Sequence, residues 1–489
     1  MKLRLIITVS LSIIVFILPL TGCAPVGPNY VKPEKKVSDN WHTELKDGLT
    51  AEEMNPAVIA AWWNTFNDEE LSSLIGRAVA GNLDVKQAQS RVVEARVERG
   101  IAQADLFPTL DFSGSDKWIR NSNQNGNGKT TELYSAGFDA GWEIDVFGGV
   151  RRSIEASQAD LEASQEDLHD VLVTLAGEVA LNYIEVRTFQ ARIATVNENI
   201  NAQNETYQLI QWRSQAGLSD ELALQQSLYN LESSRAEIPI LHTNLEEAMN
   251  RIAVLLGEEP GAVHAELEKT AGIPVPPATI AVGVPAETIR RRPDIRVAER
   301  ELAAQTARIG VATADLYPKF TLSGSIGVEA AMFSQFKNNI GNSHNWILSG
   351  GPGVSWAIFQ GGAIRQNIKV QTARQEQALL TYESTILNAI EEVENALVSY
   401  SDEQNRMDNL TKATQAARKA VDLAQHEYEA GLVDFSNVLD AQRSLRSFED
   451  QLAQSKGTVT SNLVRVYKAL GGGWTSFDTQ NNENKQVKK

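Results

Sequence analysis

The chain has 489 residues and a formal charge of −17, with 62 acidic against 45 basic side chains. That balance argues against a nucleic-acid partner, because neutralising phosphates needs clustered Lys and Arg. A single cysteine excludes any disulfide within one chain.

The first residues read as an export signal. Lys2 and Arg4 precede an apolar run from Leu5 to Leu18, too short for a membrane-spanning helix of roughly 20 residues. The run ends in Leu20-Thr21-Gly22-Cys23. That spacing resembles a bacterial lipobox, in which Cys23 is acylated and residues 1–22 are cut away. The alternative is an ordinary signal peptide with an accidental cysteine. Residue 24 is Ala and not Asp, so the expected address is the outer membrane. Losing residues 1–22 removes Lys2 and Arg4 and moves the formal charge from −17 to −19. No later apolar stretch is long enough for a transmembrane helix, so any crossing of a membrane falls to strands.

The chain then says nearly the same thing twice. At a shift of 210, Asp84–Ser115 falls on Asp294–Ser325, with Ala104-Asp105-Leu106-Phe107-Pro108 on Ala314-Asp315-Leu316-Tyr317-Pro318. At a shift of 214, Trp142 falls on Trp356, Ala216-Gly217-Leu218 on Ala430-Gly431-Leu432, and Leu256-Gly257 on Leu470-Gly471. A unit of about two hundred residues is too long for a solenoid repeat.

Each copy predicts a short helix, a strand, a polar loop, a second strand and two very long helices. From Glu132 to Val146 apolar residues such as Tyr134, Phe138, Trp142 and Ile144 alternate with Ser135, Gly137, Asp139 and Glu143, the period of a strand with one apolar face. Its mate, Leu106 to Trp118, sets Leu110, Phe112 and Trp118 against Thr109, Asp111, Ser113 and Ser115. The second copy sets Phe320, Leu322 and Ile326 against Lys319, Thr321 and Ser323, returning with Trp346, Leu348, Val354, Trp356 and Ile358. Aromatics near the strand ends suit a lipid-facing band. An ordinary soluble sandwich is the alternative. Four strands cannot close a barrel, so either they are soluble or several chains pool them; three chains would give 12.

Neither Val150–Ala216 nor Ala363–Ala430 contains proline, and helices of that length reach about 100 Å. Leu172, Val179, Val186, Ile193, Ile200 and Tyr207 recur every seven residues, as do Leu379, Ile386, Val393, Tyr400 and Met407. Such a repeat drives helices to pack side by side. Each helix ends at Ala-Gly-Leu, where the chain turns back, so each copy predicts one helical hairpin. The expected domains are a signal peptide at 1–22, a lipid-anchored extension at 23–60 and a first repeat at 61–257. The strands of this repeat lie at about 106–118 and 132–146, and its hairpin at about 150–257. A Pro-rich linker follows at 258–285, then a second repeat at 286–474 and a disordered tail at 475–489. The second repeat has strands at about 316–328 and 346–358, and a hairpin at about 363–471. The fold class is α+β, an internally duplicated chain.

Five stretches together resemble one family, the TolC-like outer membrane factors, in their lipoprotein (NodT-type) branch. They are Cys23-Ala-Pro-Val-Gly-Pro-Asn-Tyr30; Trp62-Trp63 with Phe66; Arg291-Arg-Pro-Asp-Ile295 leading to Ala314–Pro318; Leu439-Asp-Ala-Gln-Arg-Ser-Leu445; and Ala469-Leu-Gly-Gly-Gly-Trp474. The resemblance spans about residues 23–474. It implies a homotrimer whose strands form a 12-stranded barrel in the outer membrane, continued by a helical barrel across the periplasm. It also implies a periplasmic adaptor and an inner-membrane pump, usually of the resistance–nodulation–division type.

No catalytic constellation, metal-ligand spacing or phosphate loop occurs in the sequence, so a passive conduit with no cofactor is expected, not an enzyme. The resemblance makes Asp440 the principal gate residue, one of three carboxylates in a ring at the periplasmic constriction. Ser436 stands where some relatives carry a leucine, and with Asn437 it implies a polar constriction. Tyr428 matches the family's tyrosine near the tip, but Val433 stands where some members place an arginine, so the tyrosine–arginine latch does not carry over. The tips, Gly217, Leu218 and Ser219 with Gly431 and Leu432, are the implied adaptor-docking sites. The reading is an outer membrane efflux channel; a type I secretion duct and a non-conducting periplasmic spacer are the alternatives. The exported compound is not legible.

Overall fold

The computed structural model describes residues 25–34, 37–53, 55–120, 122, 124, 128, 130–338 and 346–475. The expected signal peptide, Cys23 and the tail beyond Thr475 lie outside the described residues.

Strand β1 is the short Leu49–Thr50. Helix α1, Pro56–Ala60, starts where Asn55 accepts the Ala57 N–H at 2.9 Å and proline takes the first helical position. A 3-10 turn, Trp62–Phe66, leads to α2, Glu69–Gly81, capped by Asp68 on the Leu71 N–H at 3.0 Å. Then come α3 (Leu83–Ala104), β2 (Thr109–Arg120), β3 (Thr130–Ile144) and α4 (Gly149–Gln215). The return is made by α5 (Glu221–Arg235) and α6 (Glu237–Leu255). Next are α7 (His264–Leu267), β4 (Ile280–Ala281) and α8 (Pro285–Arg291). The last series is α9 (Pro293–Ala314), β5 (Lys319–Ala330), α10 (Phe333–Asn338), β6 (Trp346–Ser355), α11 (Ala363–Glu429) and α12 (Phe435–Ala469). Helices α3 and α9 each have 22 residues, and α4 and α11 each have 67, so the two series match in length.

The chain divides into two compact units: residues to 34, 91–164 and 297–382 in the first, the remainder in the second. The first unit holds an antiparallel sheet in the order β2-β3-β5-β6. Each strand begins three residues later than predicted in the outgoing pair, and the reason is the repeated Ala-Asp-Leu-aromatic-Pro motif. The helix ends in a turn, with Leu106 and Phe107 N–H groups bonded to Gln103 and Ala104, and proline follows. The Leu106 carbonyl accepts the Trp142 indole N–H at 2.9 Å, and Leu316 accepts that of Trp356 at 3.0 Å. The returning strands end at Ile144 and Ser355, short of the predicted 146 and 358. After the first, Asp145 caps α4 through the N–H groups of Val150 and Arg151. In the expected polar loop before Asn345, α10 forms instead, with Phe333 packed edge-on to Tyr134 at 5.5 Å.

Residues 25–34 are docked on this unit. Arg152, 3% exposed, donates to Val26 O at 3.0 Å and Asn29 Oδ1 at 2.7 Å, and Lys32 pairs with Glu299 at 2.6 Å.

The second unit holds the main core, built from Trp62, Phe66 and α2 against Leu172, Val179 and Val186 of α4 and Val393, Leu463 and Tyr467. The seven-residue seam steps sideways along both long helices. In α4, Ile193 and Ile200 are only half-buried, and Val196, Gln203 and Ile210 are the buried positions. In α11 burial passes from Ile386, Val393 and Tyr400 to Leu410 and Ala417. The straight helix drifts against a strict seven-residue repeat, so a second stripe takes over.

The first return helix is broken where one continuous helix was expected. Pro239 removes a backbone donor and α5 ends at Arg235; the second return, α12, is unbroken over 35 residues. The predicted linker is also structured in part. It carries α7, and β4 pairs in parallel with β1, Leu49 opposite Ile280. Arg187, 2% exposed, holds this segment by donating to Lys269 O at 2.7 Å.

The Arg-Arg-Pro-Asp stretch builds a buried charge cluster. Arg292 grips Asp294 through Nε at 3.0 Å and Nη2 at 2.8 Å, pairs with Glu392 at 2.7 Å, and donates to the Ala469 carbonyl at 2.5 Å. At the matching position of the first series, Asn82 donates to Leu255 O at 2.9 Å and accepts from Asp84 and Val85 N–H. The same carbonyl is thus satisfied once by a neutral amide and once by a guanidinium. A cavity of about 20 Å³ beside Arg292 is lined by Asp170, Asp294, Glu392 and Lys468, room for about one water. Burial, and next the charge of Asp294, push the Asp170 carboxyl up to about 6 from 3.8. A raised carboxyl pKa means the folded state binds the proton more tightly, so this group adds stability as pH falls through 6 towards 4. Asp170→Asn is therefore expected to stabilise the protein at pH 8, by about 3 kcal/mol at most, and to lose that advantage near pH 4. Thermal unfolding at the two pH values checks it; equal shifts at both would refute the assignment.

Candidate functional site

Two surfaces carry the residues singled out by the sequence: the hairpin turns in the second unit and the sheet in the first. At the turns, Gly217 and Gly431 have φ of 72° and 74°, a region costly for any residue with a Cβ. The Leu218 N–H reaches back to Arg213 O at 2.7 Å and that of Leu432 to Glu427 O at 2.9 Å, closing both helices with the same six-residue loop of hydrogen bonds. A Cβ at either glycine would meet nothing within 4 Å, so backbone conformation alone demands glycine there. Asp220 caps α5 through the Ala223 N–H at 2.8 Å. Leu218 and Leu432 are 69% and 75% exposed, which leaves an apolar side chain projecting at each turn.

Behind the turns a small core joins the two hairpins: Ile210 and Ala223 from the first, Phe435, Val438 and Leu439 from the second. Tyr428 lies against Phe435 with ring centroids 5.3 Å apart, and the guanidinium of Arg213 sits 4.8 Å from the Tyr428 ring centroid. The tyrosine does find an arginine, though not at the position after the turn that the resemblance pointed to. Sequence reasoning missed Arg213 because it lies more than two hundred residues from Tyr428.

Ser436, Asn437 and Asp440 are all exposed, on the face of α12 opposite Val438 and Leu439. One helical turn on, Arg443 donates to Asp440 at 3.2 Å, lies 5.3 Å from the Tyr229 ring centroid and bonds the Tyr229 hydroxyl. The Asp440 carboxylate therefore has a cation beside it in its own chain. Residues i and i+3 share a helix face, a signal that sequence reasoning passed over at Arg443; Tyr229, on α5, left no local signal.

In the sheet, register places Phe112 opposite Phe138, Phe138 opposite Ile326 and Ile326 opposite Leu348, one apolar row across all four strands. These side chains are exposed, Phe112 at 69% and Leu348 at 81%. The other face is hydroxyl-rich: Ser113 bonds Asp139 at 2.8 Å, Ser115 bonds Ser135 at 2.8 Å and Ser325 bonds Ser349 at 2.7 Å. Strands β2 and β6 are the sheet's edges. No helix among the described residues is long and apolar enough to cross a membrane.

A protein-family model, outer membrane efflux protein, matches residues 74–258 and 284–472. The chain belongs to that family. It is 33% identical to nodulation protein T of Rhizobium leguminosarum bv. trifolii over 465 residues, 94% of this chain and 96% of that protein. It is 29% identical to the cation efflux system protein CusC of Escherichia coli K12, over 93% of this chain and 97% of that one. The solved outer-membrane channel OprN superposes with a TM-score of 0.85 at 34% identity, covering 92% of this chain and 99% of that chain. The protein is thus an outer membrane efflux component and not an enzyme. Its two family segments begin and end close to the two helical series.

Proposed function

We propose that three copies of this outer membrane efflux protein pool their strands into a 12-stranded barrel, held in the outer membrane by that barrel and by acyl chains on Cys23 after residues 1–22 are removed. The observation that carries this reading is the sheet's combination of an exposed apolar face, a hydroxyl-rich face and two open edges. An unpaired edge in lipid costs several kcal/mol per group, so the edges must be closed by other copies. The apolar band has the right height. Trp118 stands opposite Glu132, ten residues before Trp142; at about 3.3 Å per residue and a tilt near 40°, that spans roughly 25 Å.

The helical hairpins then form a periplasmic conduit that receives substrate from an adaptor and an inner-membrane pump of the resistance–nodulation–division type. Gly217, Leu218, Ser219, Gly431 and Leu432 form the adaptor-docking ends. Ser436, Asn437 and Asp440 line the constriction, with Tyr428 in the joint behind it. Three Asp440 carboxylates alternate there with three Arg443 guanidinium groups, so the constriction is polar and nearly charge-balanced. Substrate identity is set by the pump.

Single-channel conductance in planar bilayers tests this function. The wild type should show a small conductance. Asp440→Ala should raise it several-fold and turn its selectivity towards anions, because Arg443 remains. Silence from both proteins would overturn the channel reading; an unchanged conductance in the variant would remove Asp440 from the gate.

A further inference from the structure

The cavity beside Arg292 is a crossing of four helices in the second unit. Asp170 of α4, Arg292 and Asp294 at the start of α9, Glu392 of α11 and Lys468 near the end of α12 all line it. Gly471 lines it too, with φ of 74°, and a Cβ there would fall 3.1 Å from Arg292 Cα. Beyond it the Gly472 N–H reaches back to Tyr467 O at 3.0 Å. The Trp474 ring then stacks on His169 with centroids 4.2 Å apart, and the Arg296 guanidinium lies 5.4 Å from its centroid. Glu166 ties His169 and Arg296 together, at 3.1 Å and 3.5 Å. The turn from Gly471 to Trp474 therefore lies over Asp170 and its neighbour His169, on one stretch of α4.

Charge at this crossing does not balance. Three carboxylates line the cavity, Asp170, Asp294 and Glu392, against two cations, Arg292 and Lys468. Asp167, one turn back on α4, adds to the negative field on Asp170. Arg292 is already committed to Asp294, Glu392 and the Ala469 carbonyl. One proton would bring the lining to neutrality.

The fold does not need these charges. By the shifts that align the two series, Arg292 matches Asn82, Lys468 matches Val254 and Asp170 matches Ser384. None of the three is charged. Asn82 nevertheless holds the Leu255 carbonyl as Arg292 holds that of Ala469, and Gly257 repeats the φ of 74° found at Gly471. The same crossing is thus built once from neutral groups. Burying charges costs desolvation energy, and what the charged version adds is a response to protons.

We infer that this crossing is a proton-operated lock on the end of α12. With one proton held among Asp170, Asp294 and Glu392, the lining is neutral and the Gly471–Trp474 turn stays seated on α4. Without it, three carboxylates repel one another across the cavity and the turn lifts more readily, wetting Asp170. Seated, the Asp170 carboxyl is pushed up to about 6; wetted, it returns towards the ordinary 3.8. The seated form therefore has its full advantage below about pH 4 and loses it as pH rises through 6. Opening of the turn should rise about tenfold from pH 5 to pH 8, and level off above about pH 7.

Hydrogen exchange of the full-length protein in detergent, read by mass spectrometry and corrected for the pH dependence of the chemical step, tests this. Peptides covering 468–475 should exchange about tenfold faster at pH 8 than at pH 5. Peptides covering 254–261, from the neutral crossing, should not change. Asp170→Asn should abolish the response and keep the turn protected at pH 8. Glu392→Gln, which takes a different carboxylate from the cluster, should move the response to lower pH. A wild-type turn equally protected at both pH values overturns the lock, as does a full response in Asp170→Asn or an unmoved one in Glu392→Gln. Equal changes at both crossings overturn it too, because the effect would then belong to the whole molecule.

Discussion

Trp62→Ala should destabilise the second unit by about 3–5 kcal/mol, the cost of deleting a fully buried aromatic side chain and leaving its cavity. Trp62 is 0% exposed, stacked on Tyr467 with centroids 5.5 Å apart, and edge-on to Trp63 at 5.7 Å and Phe66 at 6.2 Å. It joins the 3-10 turn before α2 to the end of α12. A Cβ on Gly472 would lie 3.2 Å from the Trp62 ring, and one on Gly473 would lie 3.1 Å from its Nε1. The glycine run before Trp474 therefore leaves space for this indole. Trp62→Phe should cost clearly less than alanine, because it keeps a ring and removes a buried indole N–H that has no partner. Thermal unfolding of the detergent-solubilised protein measures both. A loss below about 1 kcal/mol for the alanine variant would mean the site collapses freely and does not join these elements.

Arg292→Met is expected to cost about 3–5 kcal/mol, the range for removing one partner of a buried ion pair. The methionine would leave Asp294, Glu392 and Asp170 facing one another and the Ala469 carbonyl without its donor. Asn82→Ala, at the matching place in the first series, should cost only about 1 kcal/mol, since it removes a cap and one neutral hydrogen bond. Adding Asp170→Asn to Arg292→Met should recover part of the loss at pH 8, because one of the stranded carboxylates is then gone. A double-mutant cycle by thermal unfolding reads this coupling. Strict additivity would show that Asp170 and Arg292 do not share the cluster.

Much of this was legible beforehand where local pattern and function coincide. The alternation around Phe138 gave the strands and their two faces, since side chains on a strand must point alternately. The positive-φ turns at Gly217 and Gly431 were legible because few other residues tolerate that backbone. The strand starts were misplaced by three residues because the helix closes in a turn at Leu106 and Phe107 and proline follows before the strand begins. The joint of Arg213 with Tyr428, and the meeting of Arg443 with Tyr229, were invisible for another reason: each links segments more than two hundred residues apart.

The sequence by itself determined the elements: two matching series of strands and 67-residue helices, the turns that close them, and the family to which they belong. Periodicity and turn chemistry act over a few residues and leave their mark directly in the order of side chains. Only the tertiary structure decided which stripe of each long helix is buried, that β1 reaches across to β4, and that Arg292 meets Glu392 and the Ala469 carbonyl. Those choices depend on which surfaces meet, and hydrophobic burial, being non-directional, does not record its partner in the local sequence.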